Sequence, residues 1–199
     1  LELTEEQIMI RDMARDFARG EIAPHAQAWE KAGWIDDEVV KKMGELGLLG
    51  PTIPEQYGGG GGHFLHEAVI CEEQWYAMSQ CFSNNVHSGI VAHYILAYGT
   101  EAQKQRWLPR MATGELVAAI AMSEPGAGSD LQRMKTQAVP DGDGWRIRGA
   151  KTFITNGLHA NLVCVAVKTD VTAGAKGVSL LMLETDGAEG FRRGPLLDK

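Results

Sequence analysis

The apolar pattern of this chain changes period once, near Leu116, and that switch limits the fold more than any other feature. Ahead of it, apolar residues recur three and four apart, the spacing of amphipathic helices. Behind it they come in short β-branched runs separated by glycine-rich turns. A single switch of this kind predicts a helical part followed by a β part, not alternating βα units.

The helical part opens on Thr4, an N-cap whose capping-box partner is Gln7. Ile8, Met9, Met13, Phe17 and Ala18 then form a stripe predicted to face a core. Pro24 interrupts, and a short helix carries Ala26 to Trp29. Asp36 or Asp37 caps the next helix, which ends near Gly47. Gly47–Gly62 has two prolines and a five-glycine run, and reads as a mobile loop. Helices are predicted for Phe64–Ala77 and Asn84–Tyr98, the second closing at Gly99. Thr100 caps a last one, limited by Pro109. The β runs are Val117–Met122, Lys135–Val139, Trp145–Arg148, Thr152–Thr155, Leu162–Val167 and Val178–Leu183, with Asp143-Gly144 as a hairpin turn. The expected organisation is α+β: an all-α domain over residues 1–114, then a small antiparallel β-domain over 115–199.

At 199 residues, 44% hydrophobic and 23% charged, the chain is expected to be globular, and its net charge of −7 argues against broad nucleic-acid binding. No apolar run reaches the roughly 20 residues of a membrane span, and the charged N-terminus does not read as a secretory signal. Cys71, Cys81 and Cys164 form no CxxC motif. Each lies in an apolar stretch, which reads as buried thiols in a reducing compartment.

Two segments carry chemistry. Ser123–Asp130 reads SEPGAGSD, and Lys151–Gly157 reads KTFITNG. In the first, Gly126 and Gly128 permit a tight turn that can point backbone N–H groups at a phosphate; an ordinary β-turn explains the same residues. In the second, Phe153 and Thr155 stand two apart, so a strand would put both on one face, an aromatic beside a hydroxyl. A strand ending in an Asn-Gly turn explains it equally. A flat cofactor with a polar edge and a phosphate tail needs such parts.

Taken together and in order, the segments resemble the acyl-CoA dehydrogenase family. The likeness runs through Phe17–Gly33, Gly47–Gly59, Tyr98–Glu115, Ala121–Asp130 and Lys151–Gly157, nearly the whole chain. It implies a helical domain, a middle β-barrel and a C-terminal four-helix bundle, with FAD as cofactor. By this resemblance Ile120, Met122 and Ser123 meet the pyrimidine edge of the flavin, and Gly128 and Ser129 lie near the pyrophosphate. Ser129 also touches the CoA part of the substrate. Phe153 packs on the isoalloxazine, beside Ile154, and Thr155 reaches N5. Phe153 departs from the tryptophan common at its position; it keeps an aromatic face and loses the indole N–H.

The resemblance further implies α,β-dehydrogenation of acyl-CoA thioesters to trans-2-enoyl-CoA. It implies electron-transfer flavoprotein as partner, a homodimer or homotetramer, and a location in the bacterial cytoplasm or the mitochondrial matrix. The alternatives are a flavin-dependent oxidase or monooxygenase on the same scaffold, or a chain that only binds. The chain is expected to end inside the middle domain, so no catalytic base is assigned in it; the base is expected in the C-terminal bundle. His87 and His93, six apart, are not expected to share a metal. They read as pocket-lining or surface residues, Trp75 and Tyr76 as core or interface aromatics, and Glu101–Arg106 as a solvated helix face.

Overall fold

The computed structural model describes residues 2–77 and 82–196. The third cysteine, Cys81, lies outside them. The chain divides into two compact units, Leu1–Val117 with Gly194–Lys199, and Ala118–Arg193.

In the first unit, α1 (Glu5–Phe17) begins at the expected capping box: Thr4 Oγ1 accepts from the Gln7 N–H at 3.3 Å, and Gln7 Oε1 accepts from the Thr4 N–H at 3.1 Å. Of the expected stripe, Phe17 and Ala18 are buried and Met13 packs against the core; Gln7 and Ala14 join that face, whereas Ile8 is 37% and Met9 68% exposed. Ile8 and Met9 stand about 100° and 200° around the helix from Gln7, which rotates them off the core side. A wider π-type turn (Ala18–Ile22) continues α1 and closes with the Ala23 N–H on the Ala18 carbonyl. Next come α2 (Ala26–Ala32), α3 (Asp37–Glu45), α4 (Phe64–Tyr76), a π-type segment (Asn85–Ala92) running into α5 (His93–Tyr98), and α6 (Glu101–Ala112). Pro109 lies inside α6 rather than ending it, and the Thr113 N–H still reaches the Pro109 carbonyl.

Phe17, Trp29, Ile35, Met43, Leu49 and Ile70 belong to the core of this unit. Arg15 of α1 grips the buried Glu73 of α4 through two bonds, of 2.6 and 3.0 Å, and so fixes the pairing of those helices. Trp75 and Tyr76, expected in a core or interface, are 56% and 72% exposed. The five-glycine run is not loose. Gly60, Gly61 and Gly62 donate to the carbonyls of Gly50, Ile53 and Pro51, and a Cβ on Gly59 would collide with the Ile53 backbone. Glycine is needed there because backbone packs on backbone, and Gly58 and Gly61 also take φ of 81° and 64°.

The second unit is a mixed sheet of β1 (Ala118–Ala121), β2 (Gln137–Asp141), β3 (Gly144–Arg148), β4 (Leu162–Lys168) and β5 (Val178–Glu184). The strand order is β1-β4-β2-β3, with β5 also on β4. The α+β division stands, but the expected antiparallel pairing holds only for β2·β3 and β4·β5; β1·β4 and β2·β4 are parallel. The long connection between β1 and β4 allows this, since a parallel pair cannot be joined by a tight hairpin. The β2–β3 turn is Gly142-Asp143, one residue earlier than expected, with Gly142 at φ 60°. Thr152–Thr155 is not a strand. Along β4, Val163, Val165 and Val167 pack with Ala119, Ala121 and Ala138, while Ala166 packs with Ala127 and Met134. Among the described residues no helix is long and apolar enough to cross a membrane.

His87 was expected at a pocket or surface. It is 1% exposed, and Nε2 donates to the Met111 carbonyl at 3.1 Å. Burial pushes its imidazole down to about 4, the Met111 bond opposing only in part. The unfolded chain therefore takes up this proton first. The contribution is complete above about pH 6.5 and is lost as pH falls toward about 4, up to about 3 kcal/mol. Urea titrations at stepped pH should show stability declining below pH ~6.5 in the parent and a flatter profile between pH ~6.5 and ~5 in His87→Gln.

Candidate functional site

The site is built where β1 ends. Strand register delivers Ile120 half-buried, then carries Met122 and Ser123 out of the sheet. The chain folds back at once: the Glu124 N–H donates to the Ala127 carbonyl at 2.8 Å and the Ala127 N–H to the Glu124 carbonyl at 3.1 Å, closing a loop over Pro125-Gly126. Ala127, buried against Met134 and Ala166, pins this loop to β4. Gly128 and Ser129 follow, exposed. Neither Gly126 nor Gly128 takes positive φ, contrary to the expected use of these glycines, and a Cβ on either would meet nothing within 4 Å. What they provide is bare backbone.

The second segment returns to the first. The Thr152 N–H donates to the Ser123 carbonyl at 2.9 Å, and Lys151 Nζ donates to the Met122 carbonyl at 3.0 Å. Lys151 also pairs with Glu124 at 2.9 Å, with side chains only 10% and 6% exposed. Glu124 accepts in addition from the N–H groups of Lys135, at 2.6 Å, and Thr136, at 3.0 Å. Burial alone would raise the Glu124 carboxyl; these donors and Lys151 outweigh it and hold it at about 2.

Beyond Thr152 the chain turns. Phe153 sits at φ 56° with 75% of its surface exposed, and Asn156 at φ 62°. Asparagine tolerates that region; for a bulky aromatic it costs on the order of 1–3 kcal/mol. Phe153 and Thr155 thus do not share a strand face, yet both are exposed, while Ile154 packs inward against the Ala119–Val165 cluster. Asn156 Nδ2 holds the turn to the Ala118 carbonyl at 3.2 Å. The arrangement therefore joins Met122–Glu124 to Lys151–Thr152. It leaves Met122, Phe153 and Thr155 outward and turns Ile154 in.

Sequence reasoning passed over Glu124 and Lys151. Both stand inside the two motifs, but nothing in a one-dimensional pattern pairs residues 27 apart. The only signal was that Lys151 is the one charge of its motif and that the other motif carries two acids, Glu124 and Asp130, with no base. Cys164 is buried as expected and Cys71 half-buried; desolvation raises Cys71 to about 12 and Cys164 to about 11, which suppresses thiolate. Among the described residues no group of three His, Cys, Asp or Glu could hold a metal.

Residues 4–115 match the family described as acyl-CoA dehydrogenase, N-terminal domain, and 119–199 match its middle domain. The chain belongs to the acyl-CoA dehydrogenase family. It is 43% identical over 196 residues to the mitochondrial long-chain specific acyl-CoA dehydrogenase of Mus musculus, covering 98% of this chain and 45% of the mouse protein. The crystal structure of an acyl-CoA dehydrogenase from Geobacillus kaustophilus superposes with a TM-score of 0.94 at 49% identity, over 99% of this chain and 52% of that one. A glutaryl-CoA dehydrogenase from Mycobacterium smegmatis, solved in complex with FADH2, superposes at 0.82 with 30% identity, over 92% and 46%. The chain thus spans about half the length of the relatives it matches.

Removing one member of the buried pair strands the other. Lys151→Met should lower unfolding free energy by about 3 kcal/mol or more, read by urea denaturation at neutral pH. Lys151→Arg should recover part of the loss.

Proposed function

We propose that this chain contributes the flavin-contacting half of an FAD-dependent acyl-CoA dehydrogenase. The observation that carries the reading is the surface formed when Glu124 and Lys151 join the two motifs. It presents exposed aromatic and thioether faces (Phe153, Met122), hydroxyls at Ser123, Thr155 and Ser129, and bare backbone at Gly126 and Gly128. That donor set fits a planar ring with a polar edge and a phosphate-bearing tail. Family membership and the relative crystallised with FADH2 support the same cofactor.

In this reading Ile120, Met122 and Ser123 hold the pyrimidine edge and Gly128 and Ser129 the pyrophosphate. Ser129 also borders the CoA moiety. Phe153 covers the ring, the backbone at Ile154 contributes beside it, and Thr155 donates toward N5. FAD, when bound, supplies the acceptor for the β-hydrogen of the acyl chain. The protein's part is orientation: the strained Phe153 backbone and the Lys151 tie set the height of one wall, and the Thr155 hydroxyl offers a hydrogen bond where negative charge accumulates on reduction. No acid or base for the α-proton is assigned among these residues. The product would be the trans-2-enoyl thioester and the electron acceptor an electron-transfer flavoprotein. The compartment would be bacterial cytoplasm or mitochondrial matrix, and the assembly a homo-oligomer.

The test is substitution in the full-length protein. Phe153→Ala should reduce retained flavin, read from the absorbance of the purified protein. Thr155→Ala should keep the flavin but slow its reduction by acyl-CoA about tenfold or more, with little change in acyl-CoA affinity. Stopped-flow reduction with unchanged kinetics would remove Thr155 from its role, and undiminished flavin in Phe153→Ala would remove the ring-covering wall. Reoxidation by air as fast as by electron-transfer flavoprotein would favour the oxidase alternative.

A further inference from the structure

The helical unit holds a second buried carboxylate of a different kind. Glu67, on α4, is 6% exposed, and among the described residues no lysine or arginine pairs with it. Thr52 Oγ1 donates to Glu67 Oε2 at 3.0 Å and lies 2.8 Å from His93 Nε2. A threonine has one proton to donate, and here it goes to the carboxylate. His93 Nε2–H is then the donor to Thr52 Oγ1. The chain of bonds runs from His93 through Thr52 to Glu67 and ends there.

Glu67 Oε1 is left without a hydrogen-bond partner among the described residues. It faces Gly89, where a methyl group would run into it. Glu67, Thr52, His93 and Gly89 all line a cavity of about 410 Å³, and Phe64 and Ile90 give that cavity apolar surface. Burial raises the Glu67 carboxyl, and Thr52 and His93 oppose that shift. Oε1 thus opens on the cavity, and a carboxylate oxygen there selects for a donor, preferably a cationic one. Nothing in the sequence pattern singled out Glu67, which sits in an otherwise ordinary helical run.

We propose that this cavity is a binding site for a primary alkylammonium group, the ammonium donating to Glu67 Oε1 and the alkyl stem lying against Phe64 and Ile90. An anionic head would meet the Glu67 charge. A hydroxyl would satisfy the vacant acceptor but leave the charge uncompensated. A metal ion would need more ligands than this single carboxylate, since the described residues hold no cluster of three. The site lies within the helical unit and stands independently of the flavin reading.

Hexylammonium chloride, hexan-1-ol and hexanoate, titrated calorimetrically into the full chain, test the proposal. Hexylammonium should bind about 10-fold or more tightly than hexan-1-ol, with no binding of hexanoate. The resonances of Gly89 and His93 should move on titration. Glu67→Gln, folded by circular dichroism, should lose about 10-fold or more of the hexylammonium affinity. Equal binding of the alcohol, retained affinity in Glu67→Gln, unmoved Gly89 and His93 resonances, or no hexylammonium binding would each overturn it. Should the variant fail to fold, the comparison of ammonium with alcohol in the parent decides alone.

Discussion

Glu124 is the point from which the candidate site is hung. One buried carboxylate takes hydrogen bonds from Lys135 and Thr136 and an ion pair from Lys151. It therefore gathers three stretches of chain at one place: the loop after β1, the approach to β2, and the head of the KTFITNG segment. A buried charge is costly unless it is paired and hydrogen-bonded. The same requirement that makes the residue hazardous makes its surroundings specific, because few backbone paths satisfy it. Lys151 adds a second constraint by holding the Met122 carbonyl, so one ammonium ties the side chain of one residue and the backbone of another.

That gathering rests on β4. Both edges of the strand are paired, β5 along its whole length and β1 along its first half, and both faces are covered. Its valines hold the layer that carries β1 and Ile154, and Ala166 holds Ala127. With the support this rigid, Phe153 can be kept at positive φ and exposed. Strain of that kind persists only where the neighbouring structure over-determines it. In the helical unit the opposite solution appears at Glu67, a buried carboxylate with one side-chain donor, Thr52, and no lysine or arginine partner among the described residues.

Much of this was legible beforehand. The capping box at Thr4, the cap at Thr100, the period change near Leu116, and five of the six β runs are local signals, and local physics decides them. The two motifs could be quoted in full as candidate flavin contacts. Illegible were the properties that depend on who lies opposite. The parallel β1·β4 pairing and the burial of His87 follow from neighbours 44 and 24 residues away, the inward turn of Ile154 from the cluster that includes Ala119, and the ordered glycine run from carbonyls 8 to 11 residues back. Hydrophobic periodicity could not foresee that Gln7 faces in while Met9 faces out, because the partner helix α4 chooses the face.

The sequence by itself determined where helices start, where the β part begins, and which residues carry hydroxyl, aromatic and glycine chemistry, because caps, turns and side-chain periods act over a few residues. The tertiary structure alone decided strand direction, the union of Met122–Glu124 with Lys151–Thr152, and the exposure of Phe153 and Thr155. Those outcomes depend on desolvating a carboxylate and finding it donors, and the donors come from parts of the chain that no local rule connects.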